Sequence, residues 1–434
     1  MNQPARVQHD LDLCMRCSAC SATCPTYGVL GHEGFSPRGR VQVAAALLEE
    51  RLEPGSRALE FLDSCLHCEA CRTACPNGVP VTQLVDLALD LPGLSSLSEP
   101  APMSVRLLLW AVTRPWAMAG LRFGLWLWQR SGLGGSDGLA AKWPSLRRLL
   151  GPLAELDAGL PEIPSPLLPP LPAAAALPAS APPAHAPVVG FFLGCVQEAV
   201  FAETNRASLA LLQRAGASPV DAPGQTCCGA LHLHQGRLSA ARDLARRNIA
   251  AFEASGAEFV INSAGGCGAS LKQYGDLLKD DPAWAERAAR FAARVRDISE
   301  FLVEHPLPGP VAPLPERVTI QDSCHLAHLQ GVKSPLRQLL QPVAGGGLVE
   351  LPRPDQCCGS AGVYNLEHTD LSLAILDRKM EDVAVTGADV VVTANPGCTL
   401  QMRVGVARAG RQGRVRVAHV ADLLWESVRR GDKS

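Results

Sequence analysis

The stretch Cys14–Pro25 reads CMRCSACSATCP, and the stretch Cys65–Pro76 reads CLHCEACRTACP. Both place four cysteines at the spacing C-x2-C-x2-C-x3-C, and in both a proline follows the fourth cysteine. Three thiols two residues apart lie on one tight turn. The fourth is carried away by a helical turn before the proline redirects the chain. Three thiols of each run can therefore bind one common group, while the fourth lies apart from them.

This spacing resembles the pattern by which bacterial ferredoxins hold [4Fe–4S] clusters. In two-cluster ferredoxins the fourth cysteine of one run serves the other cluster, so the resemblance implies exchanged ligands. A zinc site would use pairs of C-x2-C and leave half of the thiols unexplained. We expect two clusters, the first held by Cys14, Cys17, Cys20 and Cys75, and the second by Cys65, Cys68, Cys71 and Cys24.

The composition describes an ordinary globular protein. The 434 residues are 47% hydrophobic and 19% charged with a formal net charge of -2, which argues against a disordered chain and against nucleic-acid binding. The length favours several domains. The residues before the first motif contain no apolar core of signal-peptide length, so we expect no secretion signal, and no apolar run is long enough to predict a membrane span. Sixteen cysteines without a secretion signal point to the reducing cytosol, where a disulfide framework is not expected.

The residues between the two motifs predict helices, which makes this region an α-helical two-cluster ferredoxin domain over residues 1–100. Arg38 and Arg40 in the segment SPRGR can offset the negative charge of a thiolate-ligated cluster, or they can be solvated residues at a helix N-terminus. His67 lies within the second motif. A hydrogen bond from His67 to a cluster sulfur could tune that cluster. The simpler interpretation is that His67 is a partly exposed side chain without such a role.

The second half of the chain contains an internal repeat. Cys195, the pair Cys227-Cys228 and Cys267 recur as Cys324, Cys357-Cys358 and Cys398, at offsets of 324 − 195 = 129, 357 − 227 = 130 and 398 − 267 = 131. Strand-like runs precede the first and last cysteine of each copy, and helical stretches lie between them. The pattern predicts two duplicated α/β domains with parallel sheets, over residues 188–310 and 311–434.

In each copy a glycine follows the adjacent cysteines. Neighbouring side chains of an extended chain diverge, so two adjacent thiols reach one site only on a turn, which glycine permits. The C…CCG…C pattern resembles the cysteine-rich domain of heterodisulfide reductase. Ser270 and Gln401 stand where that domain has a fifth cysteine. A conventional cluster, a cluster in one copy only, and free buried thiols all remain open for Cys195, Cys227, Cys228, Cys267, Cys324, Cys357, Cys358 and Cys398.

Nearly the whole chain resembles the iron–sulfur subunits of bacterial glycolate oxidases. The resemblance rests on CMRCSACSATCP, SPRGR, CCGALHLHQG, SAGGCGASLKQYG, CCGSAGVYNLEHTDL and VVTANPGC. It implies an electron-transfer subunit that accepts electrons from a flavoprotein partner, which holds FAD and oxidises glycolate to glyoxylate, and passes them towards a quinone. Related subunits serve lactate and glycerol-3-phosphate oxidation. A heterodisulfide-reductase-like catalytic subunit and a non-redox scaffold are the alternatives.

No nucleotide-binding glycine motif accompanies a predicted strand, so we expect no catalytic residue and no FAD in this chain. The segment SGLGGSDG has Asp137 where the third glycine would stand. The histidines and tyrosines near the second set of cysteines are interpreted as structural, with a proton-relay or quinone-binding role as the alternative. They are His232, His234, His325, His328, Tyr274 and Tyr364.

Residues 101–187 are expected to comprise a helical segment and a Pro/Ala-rich linker over 160–187. From Arg106 to Arg148 the sequence contains seven Lys or Arg residues against one acid. The tryptophans Trp110, Trp116, Trp126 and Trp128 lie in its first part, interleaved with arginines. Such a segment can lie on a membrane surface, or it can cover the ferredoxin or dock a partner. The many cysteines without a secretion signal place the chain in the cytoplasm as an expectation. The tryptophan-containing segment leaves open a peripheral position on the inner face of the membrane.

Overall fold

The computed structural model describes residues 3–98, 100–131, 159–163, 186–309 and 311–433. Most of the Pro/Ala-rich linker and the loop containing Asp137 lie outside the described residues. The described residues fall into two compact units. One comprises residues up to 106 together with 355–379, and the other comprises 107–354 together with residues from 380 onward.

The N-terminal region is helical, as its sequence predicts, and no strand occurs among its described residues. Two 3₁₀ turns, Ala19–Thr23 and Glu33–Phe35, lie between its helices. The helices are α1 Gln3–Asp12, α2 Pro25–Leu30, α3 Pro37–Leu48, α4 Ser56–Asp63, α5 Ala70–Ala74, α6 Val81–Leu89, α7 Pro92–Ser95, α8 Met103–Ala111 and α9 Pro115–Arg130.

Helix α3 begins at Pro37, within the sequence SPRG. Ser36 is the N-cap and its hydroxyl accepts a hydrogen bond from the Gly39 amide, while Pro37 occupies the first helical position. Gly39 is required because a Cβ at this position would lie 1.9 Å from the carbonyl oxygen of Glu33. The apolar faces of α3, α4 and α6 pack into one core. Leu62, Leu84 and Val85 are buried there, each contributing about 1.5–3 kcal/mol.

Each cysteine-rich repeat folds around a four-stranded parallel sheet, which confirms the predicted fold class. The first sheet has the order β2-β1-β3-β4 and the second the order β6-β5-β7-β8. The strands are β1 Val188–Phe192, β2 Ser218–Val220, β3 Phe259–Asn262, β4 Val295–Asp297, β5 Val318–Ile320, β6 Leu348–Glu350, β7 Val390–Thr393 and β8 Arg416–His419.

Helices connect these parallel strands, as crossover connections require. A π-helical turn, His325–Leu329, follows β5. The helices are α10 Cys195–Val200, α11 Ala202–Arg214, α12 Ala230–His234, α13 Leu238–Ala254, α14 Gly265–Lys272, α15 Tyr274–Leu277, α16 Ala285–Ala293, α17 Ile298–Glu304, α18 Ser334–Leu340, α19 Tyr364–Glu367, α20 Thr369–Thr386, α21 Pro396–Arg408 and α22 Val420–Gly431.

The topology explains where the repeated cysteines lie. In each sheet the second strand in sequence pairs with one edge of the first strand, and the third strand pairs with its other edge. Binding sites in such parallel sheets form where the strand order reverses in this way, at the carboxyl ends of the first and third strands. Cys195 follows β1 and Cys267 follows β3, the first and third strands of the first sheet. Cys324 and Cys398 follow the corresponding strands β5 and β7 of the second sheet.

The two sheets share a continuous apolar core, in which Leu211 of α11 and Leu424 of α22 take part. The N-terminal ends of α14 and α21, which contain the last cysteine of each repeat, also meet. The Gly266 amide donates a hydrogen bond to Asn395 Oδ1 at 3.0 Å, and Asn395 Nδ2 lies 3.5 Å from Cys398 Sγ. Asn395 therefore connects the first turn of α14, which contains Cys267, to the Cys398 thiol.

The segment before the first repeat forms the two helices α8 and α9. Val112 and Met118 are buried in the core of the first cysteine-rich repeat, against which Trp126 also packs. The tryptophan-containing hairpin thus covers this repeat. Its opposite face stays exposed, with Trp110 and Trp116 in edge-to-face contact at 5.1 Å.

Candidate metal centres

Two thiol-lined cavities lie within the N-terminal region. Cys14, Cys17, Cys20 and Cys75 all line the first cavity. The structure thus brings the fourth cysteine of the second motif to the three leading cysteines of the first motif. About 30 Å³ of this cavity is open to the centre of a water molecule, whereas a single water needs roughly 10–15 Å³.

The second cavity repeats this arrangement with the motifs exchanged. About 20 Å³ of it is open to the centre of a water molecule, and it is lined by Cys65, Cys68, Cys71 and Cys24. Cys71, Pro37 and Val81 line both cavities, so the two sites are immediate neighbours. Each cavity offers the four thiolates that a [4Fe–4S] cluster takes, in the exchanged combination that the sequence predicts.

Four non-glycine residues with positive φ give the two motifs the same backbone path. Arg16 and Ser18 have φ values of 56° and 69°, and the corresponding His67 and Glu69 have values of 50° and 61°. Left-handed backbone is costly for such residues and persists where the surrounding structure demands it. Here it coils each C-x2-C-x2-C run around its cavity.

The fourth cysteine of each motif leaves that coil in an extended conformation. Cys24 has φ −80° and ψ 117°, and Cys75 has φ −83° and ψ 121°. Each follows a short helical turn and precedes a proline, as the sequence predicts. The extended residue therefore directs the fourth thiol away from its own motif.

Burial keeps two thiols of the second cavity, those of Cys68 and Cys71, protonated in the absence of metal. It raises the pKa of Cys68 well above its usual value, with further contributions from the charges of Cys357 and Cys71. Burial raises the pKa of Cys71 as well, and Cys65 and Glu69 add to the effect. Such a buried concentration of thiols becomes favourable when a metal group displaces the protons.

The chemistry of the donor set fits a polynuclear iron–sulfur group, because thiolates are the ligands of such clusters. Within the described ranges, no three Cys, His, Asp or Glu side chains are grouped so as to hold one metal ion. A multi-iron cluster fits this donor set.

The two arginines of the SPRGR segment have different environments. Arg38 lines the first cavity, but its Nε lies 2.7 Å from the Glu33 carboxylate and its side chain is 30% exposed. Arg40 lines the second cavity and is 2% exposed. Of the two interpretations of these residues, the charge-offsetting one suits Arg40, whereas Arg38 is paired with an acid.

His67 is hydrogen-bonded, but its bonds do not go to sulfur. Its Nδ1 lies 3.1 Å from the Cys65 carbonyl oxygen and its Nε2 lies 2.7 Å from Asp86 Oδ1. Burial lowers the pKa of His67, but the charges of Cys65 and Asp86 outweigh this effect and raise it to about 10. His67 is thus a cation that fixes the backbone of the second motif.

The first cysteine-rich repeat brings its four predicted thiols together. Cys195 Sγ lies 3.5 Å from Cys227 Sγ. Hydrogen bonds then link Cys227 to Cys228 and Cys228 to Cys267. Those from Cys195 and Cys228 lower the pKa of Cys227 well below its usual value, and a bond to His232 contributes in the same direction. Four converging thiols supply a complete ligand set.

Polar residues behind the Cys227-Cys228 pair hold it in place. Tyr274 Oη donates to the Cys228 carbonyl oxygen at 2.8 Å, and Asn248 Nδ2 donates to the Cys227 carbonyl oxygen at 3.0 Å. Ser270 Oγ, at the position of the absent fifth cysteine, donates to the same Cys228 carbonyl at 3.0 Å. Tyr274 therefore has the structural role that we expected, and Ser270 supports the backbone.

The glycines of the CCG motifs have the predicted turn conformation. Gly229 and Gly359 have φ values of 87° and 92°, which side chains rarely allow. In the second repeat Cys357 and Cys358 are both buried, and Cys398 is buried after β7. Convergence of the four thiols in this repeat stays a prediction.

The segment 355–379 of the second repeat belongs to the same compact unit as the ferredoxin-like region. Gln356 Nε2 lies 3.4 Å from the Thr23 carbonyl oxygen, and Tyr364 Oη donates to the Ser64 carbonyl oxygen at 3.1 Å. These contacts place Cys357 where its charge acts on Cys68. Cys68 lines the second cavity, whereas Cys357 and Cys358 are not among the residues that line it. Tyr364 bonds backbone here, in keeping with a structural role.

The remaining histidines show no common site among the described residues. His234 stacks on His325 with ring centroids 5.2 Å apart. His328 lies in the π-helical turn after Cys324. Among the residues that sequence reasoning missed, Glu69 and Asn395 lie next to thiols. Comparison of the two aligned motifs could have identified Glu69, since the first motif has Ser18 at that position.

Comparison with known proteins identifies the family of the chain. A family model described as a 4Fe-4S dicluster domain matches residues 10–79, and one described as a cysteine-rich domain matches residues 189–272 and 318–403. A probable glycolate oxidase iron–sulfur subunit of Bacillus subtilis is 41% identical over 428 residues, which cover 96% of this chain and 93% of the relative. The chain belongs to the family of glycolate oxidase iron–sulfur subunits.

Two further relatives align with this chain. The glycolate oxidase iron–sulfur subunit of Escherichia coli is 31% identical over 96% of this chain and 94% of its own length. Lactate utilization protein A of Geobacillus thermodenitrificans is 33% identical over 54% of this chain and 98% of its own length. This membership makes the protein an iron–sulfur electron-transfer subunit of an oxidoreductase complex with other subunits.

Proposed function

We propose that this chain carries electrons within a glycolate-oxidising complex. A partner flavoprotein holds FAD and oxidises glycolate to glyoxylate, and this chain passes the electrons towards a quinone. The observation that carries the proposal is the pair of adjacent thiol-lined cavities, the first lined by its four expected ligands and by Cys71, and the second by its own four including Cys71. Iron–sulfur clusters bound there supply one-electron carriers in close succession.

The ligand assignment follows the two cavities. Cys14, Cys17, Cys20 and Cys75 hold the first [4Fe–4S] cluster, and Cys65, Cys68, Cys71 and Cys24 hold the second. The first cysteine-rich repeat holds a third group through Cys195, Cys227, Cys228 and Cys267, because its thiols already converge. Cys324, Cys357, Cys358 and Cys398 are the corresponding candidates in the second repeat.

Iron content distinguishes these assignments. Protein purified without oxygen should contain about eight irons per chain if only the two N-terminal cavities are filled, and about twelve if the first repeat is also filled. We expect about twelve. A content near eight would refute the third cluster, and a colourless, iron-free protein would refute the whole assignment.

Glycolate is favoured as the substrate of the complex. The relatives that align over nearly the whole chain are named as glycolate oxidase subunits, whereas those named for lactate utilization align over about half of it. Lactate or glycerol-3-phosphate is the second candidate, and a heterodisulfide-reductase-like activity of this chain is the third. In the first repeat Ser270 Oγ is bonded to a backbone carbonyl, which argues against a fifth ligand of the kind that activity uses.

The test is to co-purify this chain with its flavoprotein partner under anaerobic conditions and to add each substrate. Glycolate should reduce the clusters, as seen by EPR, and a Cys20→Ser variant should block quinone reduction without changing reduction of the flavin. Faster cluster reduction by lactate would reassign the substrate. Thiol–disulfide turnover by the isolated chain would favour the catalytic alternative.

We further propose that the α8–α9 hairpin binds an anionic membrane surface from the cytoplasmic side. None of the helices in the described part of the chain combines the length and apolarity needed to cross a bilayer. Six of the thirteen exposed large hydrophobic side chains of this part lie between Leu107 and Leu127. Trp110 and Trp116 are 44% and 67% exposed, and the Arg114 guanidinium lies over the Trp110 ring at 4.7 Å.

Tryptophan and arginine side by side suit the interface between lipid headgroups and acyl chains. The double variant Trp110→Ser/Trp116→Ser should reduce sedimentation of the protein with vesicles that contain anionic lipid. Trp128→Ser on the same hairpin is the matched control. Unchanged vesicle binding with weakened binding of the flavoprotein would show that the surface docks the partner instead.

A further inference from the structure

Arg40 is the most deeply buried charged residue near the thiol-lined cavities. It belongs to α3, is 2% exposed and lines the second cavity with Cys24, Cys65 and Cys68. Charged arginines are rarely buried without a partner of opposite charge, because desolvation is costly. The cation therefore needs a compensating group in its surroundings.

The hydrogen bonds of Arg40 lead to neutral oxygens and to sulfur. Its Nε donates to the Phe61 carbonyl oxygen at 2.8 Å, and its Nη2 donates to Thr26 Oγ1 at 2.9 Å and to Ser64 Oγ at 3.0 Å. Its Nη1 lies 3.7 Å from Cys24 Sγ. Within the described residues, none of these bonds goes to a carboxylate. The guanidinium is thus fixed in orientation but is left with thiols as its nearest source of negative charge.

The guanidinium of Arg40 remains charged in this environment. A guanidinium stays protonated in proteins even where it is buried, so Arg40 carries a fixed positive charge at this site. Thiolates that hold a metal group are permanently ionised. The compensating charge for Arg40 is therefore the group that the second cavity binds.

Arg38 provides a comparison two residues earlier in α3. It lines the first cavity, but the Glu33 carboxylate 2.7 Å away neutralises its charge, and its side chain is 30% exposed. Exposed and paired charges are screened, whereas a buried unpaired charge acts strongly on its neighbours. Arg38 should therefore have a small effect on the reduction of a cluster in the first cavity, and Arg40 a large effect on the reduction of a cluster in the second.

Glu69 is the opposing charge at the second cavity. It is 8% exposed and lines that cavity, and its Oε1 accepts a hydrogen bond from Thr82 Oγ1. Its Oε2 is buried without a hydrogen-bond partner among the described residues. Arg40 and Glu69 thus approach the same site with opposite charges, and neither is paired with the other.

We propose that Arg40 is a redox-tuning residue that favours reduction of the cluster in the second cavity. One-electron reduction adds one negative charge to the bound group, and a fixed cation beside it stabilises the reduced form. No bond to Arg40 forms or breaks, and no proton leaves it. This inference rests on the proposed function, specifically on a cluster held by Cys24, Cys65, Cys68 and Cys71.

The experiment is an EPR-monitored redox titration of anaerobically purified protein, with the second-cluster signal identified by its loss in Cys68→Ala. Arg40→Gln should shift the reduction equilibrium of this cluster at least tenfold towards the oxidised form, which equals about 59 mV for a one-electron couple. Arg40→Lys retains the charge and should stay within threefold of the wild type. Arg38→Gln is the matched control and should shift the first cluster less than threefold.

Glu69→Gln keeps the bond to Thr82 and removes the opposing charge, so it should shift the same equilibrium at least threefold towards the reduced form. If Arg40→Gln fails to retain the second cluster, the shift measured in Glu69→Gln still tests whether a fixed charge at this cavity changes the reduction equilibrium. Equal shifts in Arg40→Gln and Arg38→Gln, a shift in Arg40→Lys as large as in Arg40→Gln, or no shift in Glu69→Gln would overturn the proposal. Wild-type protein without iron would instead refute the proposed function.

Discussion

Exchange of the fourth ligand between the two motifs gives the sharpest prediction. Cys75 belongs to the second motif but lines only the first cavity, and Cys24 belongs to the first motif but lines only the second. Cys75→Ala should therefore damage the same cluster as Cys17→Ala. Cys24→Ala should likewise damage the same cluster as Cys68→Ala.

The expected magnitude follows from the number of thiols in each cavity. Removing one of four thiolate ligands should cost that cluster, so each single variant should lose about four irons per chain. A double variant with both substitutions in one cavity should lose no more iron than either single variant. The double variant Cys17→Ala/Cys75→Ala should therefore still lose about four irons, whereas Cys68→Ala/Cys75→Ala should lose about eight.

The assay combines iron determination with EPR spectra of the reduced protein, and far-UV circular dichroism checks that each variant is folded. The spectrum that remains in Cys75→Ala should match the one that remains in Cys17→Ala. If Cys75→Ala instead matched Cys68→Ala, each motif would bind its own cluster and the exchanged assignment would be wrong.

Two further predictions concern the fold. Gly359→Ala should destabilise the protein by more than Gly31→Ala, as measured by urea denaturation, because a Cβ at Gly359 would lie 2.6 Å from a backbone carbonyl oxygen whereas one at Gly31 meets nothing within 4 Å. Both substitutions carry a backbone cost of about 1–2 kcal/mol, so equal effects would contradict the steric argument. Burial raises the pKa of Asp297 from 3.8 to about 6, so the folded protein holds this proton more tightly than the unfolded chain does. The stability contributed at this site is present below pH 4 and falls as the pH rises to 6, by up to about 3 kcal/mol. Asp297→Asn should therefore stabilise the protein at pH 7.5 but not at pH 4, and an equal effect at both would refute the charge argument.

The sequence predicted those features that local spacing determines. The cysteine spacing predicted the two sets of four thiols, because the coil of a C-x2-C-x2-C run and the proline after its fourth cysteine are local properties. The repeat offsets and strand-like runs predicted two α/β domains for the same reason. Hydrophobic periodicity and turn residues are sufficient for such short-range features.

The sequence could not predict features that depend on tertiary packing. Arg38 and Arg40 are the same residue type two positions apart, and only the packing of α3 places one beside Glu33 and the other beside Cys24. Left-handed backbone at Arg16 or His67 has no signal in residue type, since glycine usually marks it. The contact between the segment 355–379 and the ferredoxin-like region joins parts of the chain that are hundreds of residues apart.

The central claim is that this chain conducts electrons and that the substrate reacts on a partner. The most direct measurement is the EPR spectrum of the anaerobic complex after addition of glycolate, recorded beside the isolated chain. We expect glycolate to reduce the clusters of the complex and to leave those of the isolated chain oxidised. Clusters that stay oxidised in an active complex, or an isolated chain that oxidises glycolate unaided, would contradict the account.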